Sequence, residues 1–198
     1  MKILIPIGFF IIILGIAYVS FNTRERVVKH KIVKEKPKIV KEKPIINKQK
    51  ENPVLNMQEE ILTKWVYKHS KRCSMNDARR IVKIASNYKY RLWLLALIAT
   101  ESHFDSHAYS RTGAIGLGQV MSFWVKELKE NKILERKTDL WDIEYNMKAT
   151  EYILEKFLAK ANGDFKKSLT YYFGRKSKHY TDKVYSNLGS LVISLDIR

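Results

Sequence analysis

The sequence predicts an all-α domain, or an α domain with a minor β element, behind an N-terminal hydrophobic helix and a charged linker. Three observations carry that prediction. Apolar residues between about 58 and 185 recur at helical rather than alternating spacing. Short polar residues stand where helices would open, and glycines where they would close. No series of alternating segments reads as a set of strands, although Ser190 to Ile197 is apolar enough to pair briefly.

Residues 1–20 come first. Ile3 to Val19 is free of charge and follows Lys2. Its length is near the minimum for a membrane span, and it also suits a long signal-peptide core. Ala17-Tyr18-Val19 makes a poor cleavage site, so an uncleaved anchor through residues 3–19 is expected. Residues 21–52 hold a tandem heptad, Lys31-Ile32-Val33-Lys34-Glu35-Lys36-Pro37 and Lys38-Ile39-Val40-Lys41-Glu42-Lys43-Pro44. A proline closing each copy prevents a continuous helix. The segment is expected to be an extended, solvated tether.

Residues 53–198 form the predicted folded unit. Gln58 to His69 has helical spacing at Ile61, Trp65 and Val66 or Tyr67. Ser74 with Asp77 resembles a capping box opening a helix to about Ser86. A helix from near Tyr90 ends at Glu101, and another is expected from around Gly116, carrying Val120, Phe123, Trp124 and Leu128. A long helix spans about Asp142 to Ala161, with Tyr145, Ala149, Tyr152, Ile153 and Phe157 on one side. Asp164 is placed to cap the next, which Gly174 would end. A last helical segment holds Tyr180, Val184 and Tyr185.

The net charge is +17, of which the linker contributes +7 and residues 53–198 contribute +9. The folded unit is therefore basic in its own right, which suits a polyanionic partner or surface. No nucleic-acid-binding signature accompanies the charge, and nucleic acid is not expected as a partner. The single Cys73 excludes an intrachain disulfide framework. The five histidines are scattered, so no metal site is predicted.

Glu101 is the residue that suggests chemistry. Positions 94, 97, 98 and 101 share a helix face, and three of them are Leu94, Leu97 and Ile98. A carboxyl continuing an apolar stripe is pushed toward its neutral form, and a neutral Glu can act as a general acid. Nine residues on, the chain enters Ser110-Arg111-Thr112-Gly113-Ala114-Ile115-Gly116-Leu117-Gly118-Gln119-Val120-Met121.

Glu101 to Met121 resembles the signature of the soluble lytic transglycosylase catalytic domain, a relative of goose-type lysozyme. That family opens its motif with Glu-Ser at a helix end, here Glu101-Ser102, with an aromatic two residues later, here Phe104. A Ser follows nine residues after the Glu, here Ser110. Gly-x-x-Gly-Leu-x-Gln-Val-Met then matches at Gly113, Gly116, Leu117, Gln119, Val120 and Met121 without a gap. Looser blocks place Asn146 and Tyr152 downstream, then Tyr171 and Gly174, then Tyr180 and Val184. The chain departs from the pattern at four further positions: Gly118 replaces a larger residue, Ser122 a proline, Thr150 a glycine and Tyr172 an asparagine. The last replacement implies the loss of one polar contact.

The resemblance implies a lysozyme-like helical fold and peptidoglycan glycan strands as substrate. It implies Glu101 as the catalytic residue, acting first as acid and then as base, with a 1,6-anhydro product. It implies substrate-binding roles for Ser110, Gln119, Met121, Asn146 and Tyr171, with Tyr171 hydrogen-bonding near Glu101. No cofactor is implied. Asp105 is the nearest other acid; as a second catalytic carboxylate it would favour hydrolysis. A lysozyme-type hydrolase and a non-catalytic wall-binding assembly protein are the alternatives. The expected location is the cell envelope on the peptidoglycan side, in the service of a phage, secretion or conjugation machine. Arg24, Arg26, Lys29 and Lys31 after the apolar segment oppose that orientation by the positive-inside rule.

Overall fold

A computed structural model describes residues 53–196. The predicted anchor and the heptad linker lie outside them. The described residues form seven α-helices and contain no strand: α1 Pro53–Lys68, α2 Met75–Ala85, α3 Arg91–Glu101, α4 Val125–Glu130, α5 Ile143–Lys160, α6 Phe165–Tyr172 and α7 Lys178–Asp196. None of them is long and apolar enough to cross a membrane.

Local chemistry sets most of the boundaries. Ser74 accepts from the Asp77 N–H at 3.1 Å while its hydroxyl donates to the Asp77 carboxylate at 2.7 Å, fixing the start of α2. Asp142 caps α5 by accepting from the N–H groups of Glu144 and Tyr145, and Arg80 of α2 pairs with it at 3.1 Å. Asp164 caps α6 through the Lys167 N–H, and Gly174, at φ 78°, turns the chain out of that helix.

α3 forms the centre of the fold. Leu94 to Ala99 are all buried, and α3 packs most extensively on α7. Leu62, Trp65 and Val66 of α1 and Ile81, Val82 and Ala85 of α2 complete this core. Tyr67, an alternative for the α1 seam, is 48% exposed instead. A second apolar cluster gathers Ile115, Val120, Leu128, Leu140 and Ile153 beneath the glycine-rich segment.

Two predicted elements differ. No helix begins at Gly116. Gly113, Gly116 and Gln119 hold left-handed backbone angles of 88°, 71° and 50°, which a right-handed helix cannot include. The segment is instead a tight double turn tied by isolated bridges from Ile115 to Tyr109 and to Val120. A 3-10 turn at Ser122–Trp124 then leads into α4. Ser190 to Asp196 is helical, not extended, because Leu188, Leu191 and Leu195 continue the α7 seam against the core.

Candidate active site

Glu101 is the last residue of α3. The chain leaves that helix through His103 and Phe104, both left-handed at 52° and 58°. Such angles cost about 1–3 kcal/mol each in non-glycine residues and need support from their surroundings. Phe104 supplies it: the ring is 1% exposed and meets Trp65 edge-on at 6.0 Å. The His103 carbonyl accepts from the Lys71 N–H at 3.0 Å. The turn is thereby anchored to α1 and to the loop before α2, and the carboxyl of Glu101 stays at the domain interior.

The partner of that carboxyl comes from α7. The Tyr180 hydroxyl donates to Glu101 Oε1, and the Tyr180 ring stacks on Phe173 at 4.3 Å. Asn187, two turns further along α7, donates to Thr100 Oγ1 at 2.9 Å and fastens the end of α3. Burial pushes the Glu101 pKa from 4.5 up to about 7; the Tyr180 hydrogen bond and the Lys183 ammonium pull the other way and lose. Desolvation first, then the Glu101 charge, holds the Tyr180 phenol well above its ordinary value, so it remains a donor. An acid that is half protonated near neutral pH, with a phenol fixed on one oxygen, can give up a proton and take one back.

Asp105 serves the turn that follows α3. Its carboxylate accepts from the His107 N–H at 2.9 Å, closing the next turn. The groups that act electrostatically on Glu101 are Tyr180 and Lys183.

The other predicted residues separate into two sets. Gln119, Met121 and Tyr171 line a cavity of about 340 Å³, together with Phe123, Trp124 and Tyr172. Glu101 is not one of the lining residues, but Phe173 lines the cavity and stacks on its partner Tyr180. A larger cavity, about 600 Å³, is lined by lysines of α6 and the α6–α7 turn and contains none of the predicted residues. Its size carries no weight against the convergence of polar and aromatic groups at the first.

Gln119 donates from its amide nitrogen to the carbonyls of Ala108 and Gly116 at 3.2 and 3.0 Å. Both N–H groups are thus used within the loop, and its oxygen is the atom it can offer a ligand. Tyr171 packs on Phe157 at 5.9 Å with the Lys160 ammonium over its ring at 4.6 Å. The phenol bonded to Glu101 is Tyr180 rather than Tyr171.

Ser110 and Asn146 serve the loop itself. The Ser110 hydroxyl accepts from the Ala114 N–H at 2.9 Å and bonds Thr112 at 2.9 Å. Asn146 is 1% exposed. Its amide donates to the carbonyls of Ile115 and Leu140 at 3.0 and 2.7 Å and accepts from the Gly118 N–H at 2.9 Å. With its donors spent on backbone, Asn146 ties the glycine-rich loop to the start of α5. Gly116 lies against it: a Cβ there would meet the Leu140 carbonyl at 2.7 Å and clash with the Asn146 amide.

Tyr172 brings a polar contact of its own: its hydroxyl donates to the Gly118 carbonyl at 2.7 Å. Neither this bond nor that of Tyr180 has a local signal, since each joins residues more than fifty positions apart. Tyr180 already stood in the last block of the resemblance, which is where its role could have been sought.

The family model for the transglycosylase SLT domain matches residues 82–187, just over half of the chain. That span runs from the end of α2 into α7 and contains Glu101, the glycine-rich loop, Asn146 and Tyr180. No curated protein matches the chain significantly.

Proposed function

This chain belongs to the transglycosylase SLT family, and from that premise we propose that it cleaves the MurNAc–GlcNAc bond of peptidoglycan with formation of a 1,6-anhydroMurNAc end. The observation that carries the proposal is Glu101 itself: a carboxyl whose pKa burial pushes to about 7, held by a phenol, with no carboxylate among the groups that act on its charge.

In the first step the protonated Glu101 gives its proton to the glycosidic oxygen as the C1–O bond breaks. The positive charge that develops at C1 needs stabilisation, and the acetamido oxygen of the same sugar can supply it. Glu101 is now a carboxylate. The Tyr180 hydroxyl and Lys183 both favour that charged form, which lets the site hold the anion between steps. In the second step Glu101 takes the proton of the C6 hydroxyl as O6 bonds to C1. The proton inventory closes, water is not consumed, and no second carboxylate is required. Inverting and retaining hydrolases need two, at fixed separations.

The aromatic cavity lined by Gln119, Met121 and Tyr171 serves as the glycan site. Pyranose rings offer apolar faces suited to exposed rings such as Phe123, which is 69% exposed. The basic character of residues 53–198 suits a wall bearing peptide carboxylates and anionic polymers. On this reading the catalytic unit works on the peptidoglycan side of the membrane, tethered through residues 3–19, within a phage, secretion or conjugation machine.

The test is product analysis of sacculi digested by the full chain. Anhydro-muropeptides support transglycosylation, reducing-end MurNAc assigns a hydrolase, and intact sacculi leave a wall-binding role. Glu101→Gln is expected to lose cleavage while keeping its fold; cleavage at the parent rate by that variant would sink the mechanism.

A further inference from the structure

Three residues that differ from the family pattern, Gly118, Thr150 and Tyr172, meet around the backbone of residue 118. The Gly118 N–H donates to Asn146 Oδ1 at 2.9 Å, and the Gly118 carbonyl accepts from the Tyr172 hydroxyl at 2.7 Å. Thr150 fills the volume beside Gly118. A Cβ built there would clash with the Thr150 hydroxyl and approach its Cγ2 at 2.6 Å. Thr150 is fully buried, and its hydroxyl is held by the Asn146 carbonyl at 2.8 Å. Thr150 therefore requires a glycine at 118, and the Tyr172 hydroxyl reaches that glycine's carbonyl.

The next residue along the chain is Gln119, left-handed at φ 50°. A non-glycine residue keeps that angle only where its neighbours over-determine it. Here they do: the peptide joining 118 to 119 is held at its carbonyl by Tyr172 and at the Gln119 N–H by the Gly116 carbonyl, the Gly118 N–H is held by Asn146, and the Gln119 amide nitrogen is spent on Ala108 and Gly116. Gln119 borders the aromatic cavity with its carboxamide oxygen uncommitted by these bonds.

We propose that Tyr172 is a positioning residue for Gln119: its hydroxyl fixes the Gly118 carbonyl, with Thr150 packed beneath, and so presents the Gln119 carboxamide oxygen to an acetamido N–H of the bound glycan. The proposal rests on the cavity being the glycan site, as the proposed function has it. Tyr172 acts through Gln119 and not on the reacting atoms.

The test is a double-mutant cycle on binding, in a background that does not consume the ligand. A soluble GlcNAc–MurNAc tetrasaccharide is titrated calorimetrically into the full chain carrying Glu101→Gln, alone and with Tyr172→Phe, Gln119→Ala or both. Tyr172→Phe, which keeps the ring, is expected to raise Kd about tenfold, in line with one lost polar contact to the ligand. Added to Gln119→Ala it is expected to change Kd less than twofold, an outcome that a merely structural role would not give. Should Tyr172→Phe disturb the fold, Thr150→Ser, which keeps the hydroxyl and opens space under Gly118, supplies the same cycle. An unchanged Kd, or a tenfold loss that persists without Gln119, overturns the proposal. No measurable binding by the Glu101→Gln parent overturns it together with the cavity assignment, whereas cleavage by that variant overturns the catalytic reading alone.

Discussion

Replacing Glu101 by Gln should stabilise the folded protein, and by an amount that depends on pH in a way only this carboxyl can produce. Its pKa is 4.5 ordinarily and about 7 in the fold. Below pH 4.5 both the folded and unfolded chains hold the proton, and the site is under no electrostatic penalty. Between 4.5 and 7 the unfolded chain releases its proton first, so stability falls as pH rises. Above 7 the folded protein carries a charge that its surroundings disfavour. A shift of about 2.5 units corresponds to about 3 kcal/mol at 1.36 kcal/mol per unit. Partial access of the carboxyl to solvent trims this to about 2–3 kcal/mol. Gln has nearly the same shape and does not titrate. Urea unfolding of the parent and of Glu101→Gln at pH 4 and pH 8.5 gives two differences in stability, and the change between them isolates the titration of Glu101 from that of every other group. The variant is expected to gain about 2–3 kcal/mol relative to the parent on going from pH 4 to pH 8.5. A difference that stays constant across that range would refute the burial argument, whatever the activity of either protein.

Tyr180→Phe removes the hydrogen bond that favours the Glu101 carboxylate; the alkaline limb of the activity profile should move up by about one unit, and an unmoved limb counts against the pairing. Gly118→Ala should destabilise by about 1–3 kcal/mol through collision with Thr150, and Thr150→Gly in the same chain should restore part of the loss. Additive effects of the two in chemical denaturation would show that the pair is not coupled. Asn146→Ala removes its bonds to the Ile115 and Leu140 carbonyls and strands the Gly118 N–H, while the Ile115 carbonyl keeps its bond from the Val120 N–H, so a loss of about 2–4 kcal/mol is expected; a loss under about 1 kcal/mol would mean that the loop holds itself.

Glu101 and its loop were legible in sequence because the signal is local. The acid ends an apolar run, and the residues to Met121 follow at fixed spacing. The helix caps at Ser74 and Asp164 were legible for the same reason: each is one polar side chain acting on backbone within three residues. The helix expected from Gly116 failed because Val120, Phe123, Trp124 and Leu128 are spaced as a helix face while Gly116 and Gln119, at its expected start, take left-handed angles. The extended C-terminal segment failed because Val192 and Ile193 carry β propensity but sit outward, at 42% and 60% exposure, while the leucines around them hold the helix to the core. Propensity lost there to packing. The partners of Glu101 and Gly118 were not legible at all, since Tyr180 and Tyr172 are brought to them by helices that pack only in the finished fold.

The distance in sequence between Glu101 and Tyr180, 79 residues, has a consequence for when the protein becomes dangerous. The acid is synthesised long before the helix that buries it. A nascent chain that has reached α5 already carries Glu101 and the whole glycine-rich loop, but its carboxyl has no phenol and no α7 to exclude water from it. It titrates there as an ordinary surface glutamate, ionised at neutral pH and useless as a proton donor. Docking of α7 on α3 is a non-local step, late in both synthesis and folding. On the proposed function, competence to cleave glycan would arrive with the docking of that helix, and a chain stalled short of it would lack its acid.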